Sequence, residues 1–325
     1  MLTRPLGRTG LTVSEIGFGA WGIGGAMWQG SEDDASIAAV AAALEAGCTF
    51  IDTALAYGNG HSERLIRRAL EGRGEPVSIA SKIPPKNQVW PAKPGTPLAA
   101  AFPAEWVKRC ASRSAEYLGR PVDLIQFHVW RDEWLAEPGW REVERTLERL
   151  VSADVIRHVG ISINDHDPDT ALEAVGRVEL IEVVQVIYNI FDRSPERRLF
   201  PLCRDRNAGV IARVPFDEGA LTGKIVPGVS FPPDDWRRRY FGGDRPAQVA
   251  ARVERLRPVL LREAGSLAEG ALRFCLSHPA VSTVIPGMRT AEHARANCGV
   301  SDGRLLSPGL LEELKEHQWA RNFYD

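Results

Sequence analysis

The chain has 325 residues, 44% hydrophobic and 25% charged, which is enough to bury a large core. Its formal net charge of −2 gives no general attraction to nucleic acid or to an anionic membrane, so neither is expected as a partner. The first residues lack the apolar core of a secretory signal and no apolar run approaches the length of a membrane span. Cys48, Cys110, Cys203, Cys275 and Cys298 have no zinc or disulfide spacing, so they read as reduced cysteines of a metal-free cytoplasmic protein.

Along the chain, residues 6–13 carry Gly7 and Gly10 and predict a hairpin able to plug one mouth of a barrel. Short apolar runs then predict strands over 15–19, 49–52, 78–81, 123–127, 158–162, 183–186, 210–212 and 282–285. Between them, amphipathic segments predict helices over 33–46, 62–70, 104–118, 140–153, 168–175, 195–206, 266–277 and 290–297. Asp33 and Ser62 read as N-caps, and Pro168 and Pro195 as first-turn residues. Eight alternations of strand and helix imply parallel strands with crossover helices, and closure into a (β/α)8 TIM barrel removes the exposed edges. No linker divides residues 1–325, so one domain is expected.

Two further segments interrupt the rhythm. Residues 84–103 are proline-rich, contain Trp90 and read as an ordered loop on the rim; residues 225–246, with Trp236, Arg237, Arg238, Arg239 and Tyr240, read as a lid. Extra helices are expected near 247–263 and 307–321, toward the C-terminus.

Four polar residues stand at or just past strand ends: Asp52, Tyr57, Lys82 and His128. In a parallel barrel these ends share one rim, so residues distant in sequence converge on one pocket. Gly17, Gly19 and Gly22 match the glycine spacing of a dinucleotide-binding turn, but no helix begins within the pattern and Asp52 lies too far on. They read instead as a glycine-rich rim loop.

Phe50-Ile51-Asp52-Thr53-Ala54-Leu55-Ala56-Tyr57-Gly58 and Gly60-His61-Ser62-Glu63, with Ser81-Lys82 and Asp123-Leu124 leading to His128, resemble the aldo-keto reductase superfamily pattern. Leu6–Leu11, Gly160-Ile161-Ser162, Gln185 through Asn189, Gly219–Lys224 and Ile285-Pro286-Gly287 extend the resemblance over nearly the whole chain. It implies reduction of an aldehyde or ketone with a nicotinamide cofactor, Tyr57 being the catalytic acid/base. The residue types fit that chemistry. Hydride arriving at a carbonyl carbon puts charge on oxygen, which needs a proton donor within reach. A lysine ammonium beside a tyrosine favours its phenolate, and a buried ammonium in turn needs a carboxylate. Lys82 is thus expected to lower the Tyr57 pKa, Asp52 to anchor Lys82, and His128 to orient the substrate oxygen.

By the same resemblance Ser162 and Gln185 hold the nicotinamide carboxamide, although Ile163 stands where asparagine is usual and Asn164 follows it. Arg213 occupies the place of a ring-stacking tyrosine, and its charge predicts a preference for the reduced cofactor. Gly22, in the glycine-rich rim loop, is expected among the cofactor contacts, and the turn with Gly219, Leu221 and Lys224 would face the pyrophosphate through its backbone N–H groups. The stretch with Gly287, Arg289, His293 and Asn297 resembles the adenosine end; Gly287 replaces a lysine of some branches and His293 a common arginine, so Arg289 is the partner expected for a 2′-phosphate and NADP(H) is expected over NAD(H). Trp21, Trp90 and Trp130 are candidates for the substrate pocket, and His61 reads as a loop or capping residue. The alternative is a cofactor-binding regulatory or sensor protein on the same scaffold, resembling potassium-channel β subunits.

Overall fold

Each apolar run forms a short strand buried on both faces, against the barrel axis and against the helices, as parallel sheets require. The computed structural model describes residues 1–25, 30, 32–319 and 321–324. An antiparallel pair, β1 (Thr3–Pro5) and β2 (Thr12–Ser14), precedes the barrel. The barrel strands follow as β3 (Phe18–Gly19), β4 (Phe50–Asp52), β5 (Ser78–Ile83), β6 (Val122–Phe127), β7 (Ile156–Ser162), β8 (Ile181–Ile187), β9 (Gly209–Arg213) and β10 (Thr283–Val284).

These eight pair in sequence order, every pair parallel. Isolated parallel bridges Ile16↔Val284 and Gly19↔Gly287 join the first strand to the last and close the ring. All eight expected strands are present. The hairpin behaves as expected too: Leu6 and Val13 pack with Phe50, Leu124 and Val183 in an apolar cluster inside the barrel.

The helices are α1 (Asp33–Glu45), α2 (His61–Leu70), α3 (Leu98–Ala101), α4 (Ala104–Leu118), α5 (Trp140–Ser152), α6 (Leu172–Arg177), α7 (Leu199–Asp205), α8 (Arg237–Tyr240), α9 (Arg245–Leu260), α10 (Leu267–Leu276), α11 (Ala291–Cys298) and α12 (Pro308–Glu313). Pro168 and Pro195 sit in short 3-10 turns that lead into α6 and α7. The two expected N-caps are corrected. Glu32 and Gly60 occupy those positions, while Asp33 accepts from His61 at 2.9 Å and Ser62 donates to the Ala20 carbonyl at 3.1 Å. The segment 84–103 is mostly loop, with α3 near its end, and the expected lid holds the single turn α8. Among the described residues no helix is long and apolar enough to cross a membrane.

Candidate active site

Lys82 Nζ donates to Asp52 Oδ1 at 2.5 Å and to the Thr53 carbonyl at 2.9 Å, and points to the Tyr57 hydroxyl at 3.4 Å. Lys82 is 1% exposed and Asp52 2%, so each is the charge partner that makes the other's burial tolerable. Tyr57 lies on the turn between β4 and α2, where its N–H donates to Ala54 O at 2.9 Å and its carbonyl accepts from Ser62 N at 3.2 Å. The turn depends on Gly58: its φ is +63°, and a Cβ there would stand 2.1 Å from the Gly24 carbonyl oxygen. His128, the first residue after β6, presents its ring edge-on to Tyr57 at 5.7 Å between centroids. Its Nδ1 is buried with no partner among the described residues.

Burial, and next the Asp52 carboxylate, hold the Tyr57 hydroxyl well above the usual phenol range, with Arg213 opposing them. Tyr57 is therefore a neutral phenol near pH 7. Burial thus outweighs the lowering expected from Lys82. With Asp52 at 2.5 Å the lysine presents a nearly compensated pair to its surroundings, and desolvation dominates. Burial also lowers the Lys82 pKa, with Asp52 acting against it. His128 is held well below its ordinary value by burial first and by Lys82 and Arg213 after that, which leaves a neutral imidazole.

Ser162 and Gln185 are paired in register at the ends of β7 and β8 and are 2% and 1% exposed. Gln185 Nε2 donates to Asp52 Oδ2 at 2.7 Å and to Gln126 Oε1 at 3.4 Å, which leaves its carbonyl oxygen for a ligand amide. Ile163 is core, and Asn164 is committed to the loops: it accepts from Ala92 N at 3.2 Å and donates to Trp130 O at 2.9 Å. Arg213, at the end of β9, donates to Asp165 at 2.6 Å and to Ile163 O at 3.0 Å. This ion pair offsets the charge on which the expected preference for reduced nicotinamide rests.

In the turn after β9 the N–H groups of Gly219 and Leu221 both donate to Phe216 O, at 3.0 and 2.9 Å. Those two donors are used inside the turn, which corrects their reading as phosphate ligands. Lys224 is exposed just beyond. Arg289 crosses the face of Gly22, where a Cβ would meet its Cγ at 2.9 Å; Gly287 has open space at the corresponding point. His293 is lowered by burial and then by Lys224, with Arg289 adding to it, which puts the three basic side chains in one electrostatic neighbourhood. Asn297 is buried one turn further along α11.

Trp21 stacks near Tyr57 at 6.2 Å, and Trp90, 40% exposed, lies edge-on to His128 at 4.6 Å, so both rings stand beside the candidate acid/base residues. Trp130 does not. It is fully buried against Phe127, Trp134 and Trp140, with Nε1 bonded to Asp132 at 2.9 Å, because the chain past His128 turns outward into the layer between sheet and helices. Of the arginine run, Arg237 pairs with Asp235 at 2.6 Å and Arg238 and Arg239 are exposed.

Sequence reasoning missed the C-terminal tail. Tyr324 stacks on Trp236 at 5.2 Å and donates to Glu218 Oε1 at 2.6 Å, while Arg321 forms a buried ion pair with Asp217. Burial pushes the Glu218 carboxyl up to about 7. The density of aromatic residues over 319–324 was the available signal.

The sequence model of the Aldo/keto reductase family matches residues 15–318. The chain belongs to the aldo/keto reductase family. As an aldo-keto reductase it is an oxidoreductase of a family that uses nicotinamide cofactors. It is 29% identical to the aldo-keto reductase YhdN of Bacillus subtilis (strain 168), over 98% of this chain and 89% of that protein. It is also 29% identical to the NADH-specific methylglyoxal reductase of Escherichia coli (strain K12), over 96% and 98%. A holo-form aldo-keto reductase from Bacillus halodurans superposes with a TM-score of 0.76 at 25% identity, over 99% of this chain and 97% of that one.

Proposed function

We propose that this aldo-keto reductase reduces an aldehyde or ketone to an alcohol, using NADP(H) in preference to NAD(H), with Tyr57 as the proton donor. The observation that carries the reading is a neutral phenol 3.4 Å from a buried ammonium that a carboxylate holds at 2.5 Å, with a neutral imidazole beside it. Reduced nicotinamide, held by Ser162 and Gln185, would supply the hydride. Tyr57 gives its proton to the forming alkoxide, and its raised pKa keeps that proton in place until charge appears on the substrate oxygen. Lys82 stabilises the phenolate left behind, and Asp52 keeps Lys82 aimed at it. His128 remains neutral and can offer an N–H to orient the carbonyl oxygen.

The residues fit the cofactor. Ser162 and the free carbonyl oxygen of Gln185 suit the carboxamide, and Arg213 lines the same end. Lys224 and Arg289 form a basic cluster next to His293, whose imidazole burial and these two cations keep neutral, and Gly287 leaves open space on the same rim. Such a cluster suits a 2′-phosphate. The relatives include an NADH-specific enzyme and one named for NADP(+), so this basic cluster is the argument for NADP(H).

The deciding assay follows absorbance of the reduced cofactor over a panel of aromatic and aliphatic carbonyls, with NADPH and NADH compared. A kcat/KM at least about tenfold higher with NADPH is expected. Cofactor binding without turnover on any carbonyl refutes the reading and favours a sensor on the same scaffold.

A further inference from the structure

Three barrel strands carry the same short pattern of apolar residue, spacer and polar residue: Phe50-Ile51-Asp52 in β4, Leu124-Ile125-Gln126 in β6 and Val183-Val184-Gln185 in β8. In a strand the first and third residues share a face, here the barrel axis. Phe50, Leu124 and Val183 form the apolar floor above the hairpin plug. Asp52, Gln126 and Gln185 make the next layer toward the rim, contributed by alternate strands as barrel interiors stack.

That layer is dry and polar, its members being 2%, 0% and 1% exposed. Gln185 Nε2 donates to Asp52 Oδ2 at 2.7 Å, and Gln126 Nε2 approaches the same oxygen at 3.4 Å. Gln126 Oε1 faces Gln185 Nε2, also at 3.4 Å. A buried amide needs partners, and those of Gln126 are Asp52 and Gln185. The room for it comes from Gly160, its register partner on β7. A Cβ at 160 would stand 3.3 Å from Gln126 Cγ and 2.7 Å from the Val183 carbonyl oxygen, so glycine at this position leaves Gln126 free to cross the barrel.

We propose that Gln126 is a positioning residue for the carbonyl reduction: with Gln185 it fixes Asp52 Oδ2, so that Oδ1 holds Lys82 in line with the Tyr57 hydroxyl. The proposal rests on the reading of Tyr57 as proton donor given above. A carboxylate bonded through one oxygen alone can rotate about its Cβ–Cγ bond and carry the ammonium with it. Donors on the second oxygen stop that rotation, and Gln126 is the donor that no sequence motif marks.

Gln126→Met keeps the length of the side chain and removes its amide. It should lower kcat about tenfold while the carbonyl KM, and the NADPH dissociation constant measured by protein fluorescence without substrate, stay within about twofold. The alkaline limb of the kcat–pH profile should move by about half a unit or more, because Tyr57 then faces a differently oriented pair. Gln126→Glu should lower kcat further, since it sets a second carboxylate against Asp52. Gly160→Ala should reproduce the loss by crowding Gln126; where that variant does not fold, Gln126→Met decides alone. A Gln126→Met enzyme with parental kcat overturns the proposal, as does one whose loss comes with an equal loss of NADPH affinity and an unmoved pH limb. If the parent turns over no carbonyl, the preceding reading fails instead. The positioning is then read from tyrosinate absorbance on alkaline titration, with Tyr57→Phe as the reference, and an unshifted Tyr57 transition in Gln126→Met overturns it.

Discussion

Replacing Lys82 by methionine separates what the buried ion pair does for the fold from what it does for the chemistry. The substitution leaves the Asp52 carboxylate in a site where it is 2% exposed, with Gln185 at 2.7 Å and Gln126 at 3.4 Å as remaining side-chain donors. Removing one partner of such a pair costs about 3–5 kcal/mol, and the remaining donors place this case near about 3. At about 2 °C per kcal/mol the melting temperature should fall by about 6 °C. Activity should fall much more, by about 100- to 10,000-fold, because the phenolate of Tyr57 loses its cation.

The double variant Lys82→Met with Asp52→Leu removes both charges and should recover most of the lost stability, since two apolar groups replace a costly buried pair. It should recover none of the activity. Thermal melts followed by circular dichroism and reduced-cofactor absorbance measure the two quantities on the same preparations. A single variant that melts like the parent, or a double variant less stable than either single one, refutes the account of mutual compensation.

Trp130→Ala should destabilise the protein by about 3–5 kcal/mol in chemical denaturation and leave carbonyl KM within about twofold, whereas Trp90→Ala should raise KM with little effect on stability. The reverse pattern would return Trp130 to the pocket. Glu218, pushed by burial from the usual carboxylate value of 4.5 up to about 7, is protonated more readily folded than unfolded. Its contribution is therefore complete below about pH 4.5 and lost as pH rises through 7, by about 3 kcal/mol in all. Glu218→Gln should flatten that decline in urea titrations between pH 5 and 8, and an unchanged slope contradicts the assignment. Arg289→Ala should weaken NADPH binding about tenfold and NADH binding little, as measured by fluorescence quenching; equal losses would remove Arg289 from the 2′-phosphate.

The strands and the convergence of Asp52, Tyr57, Lys82 and His128 were legible in the sequence because both follow from local rules. An apolar run ending on a polar residue marks a strand end, and parallel strands bring their ends together. Trp130 was not legible, since two residues past a strand the chain can turn toward the axis or away from it, and hydrophobicity suits either. The Tyr57 pKa depends on burial, and spacing alone places Lys82 next to it without showing how completely Asp52 balances the charge. Gln126 lay hidden because a glutamine within an apolar run has meaning only once Gly160, from another strand, is seen to make room. The tail escaped because Tyr324 and Glu218 meet across 106 residues of chain.

The ring of strands is fastened unevenly. Between β3 and β10 it is held by the two bridges Ile16↔Val284 and Gly19↔Gly287, and at Gly19 the backbones come so close that a Cβ would stand 2.7 Å from the Ile285 carbonyl oxygen. Gly22 lies three residues past one side of this seam and Arg289 two past the other. On the proposed reading, a dinucleotide packed against Gly22 and Arg289 would span this joint, so loading the enzyme would also gird its wall.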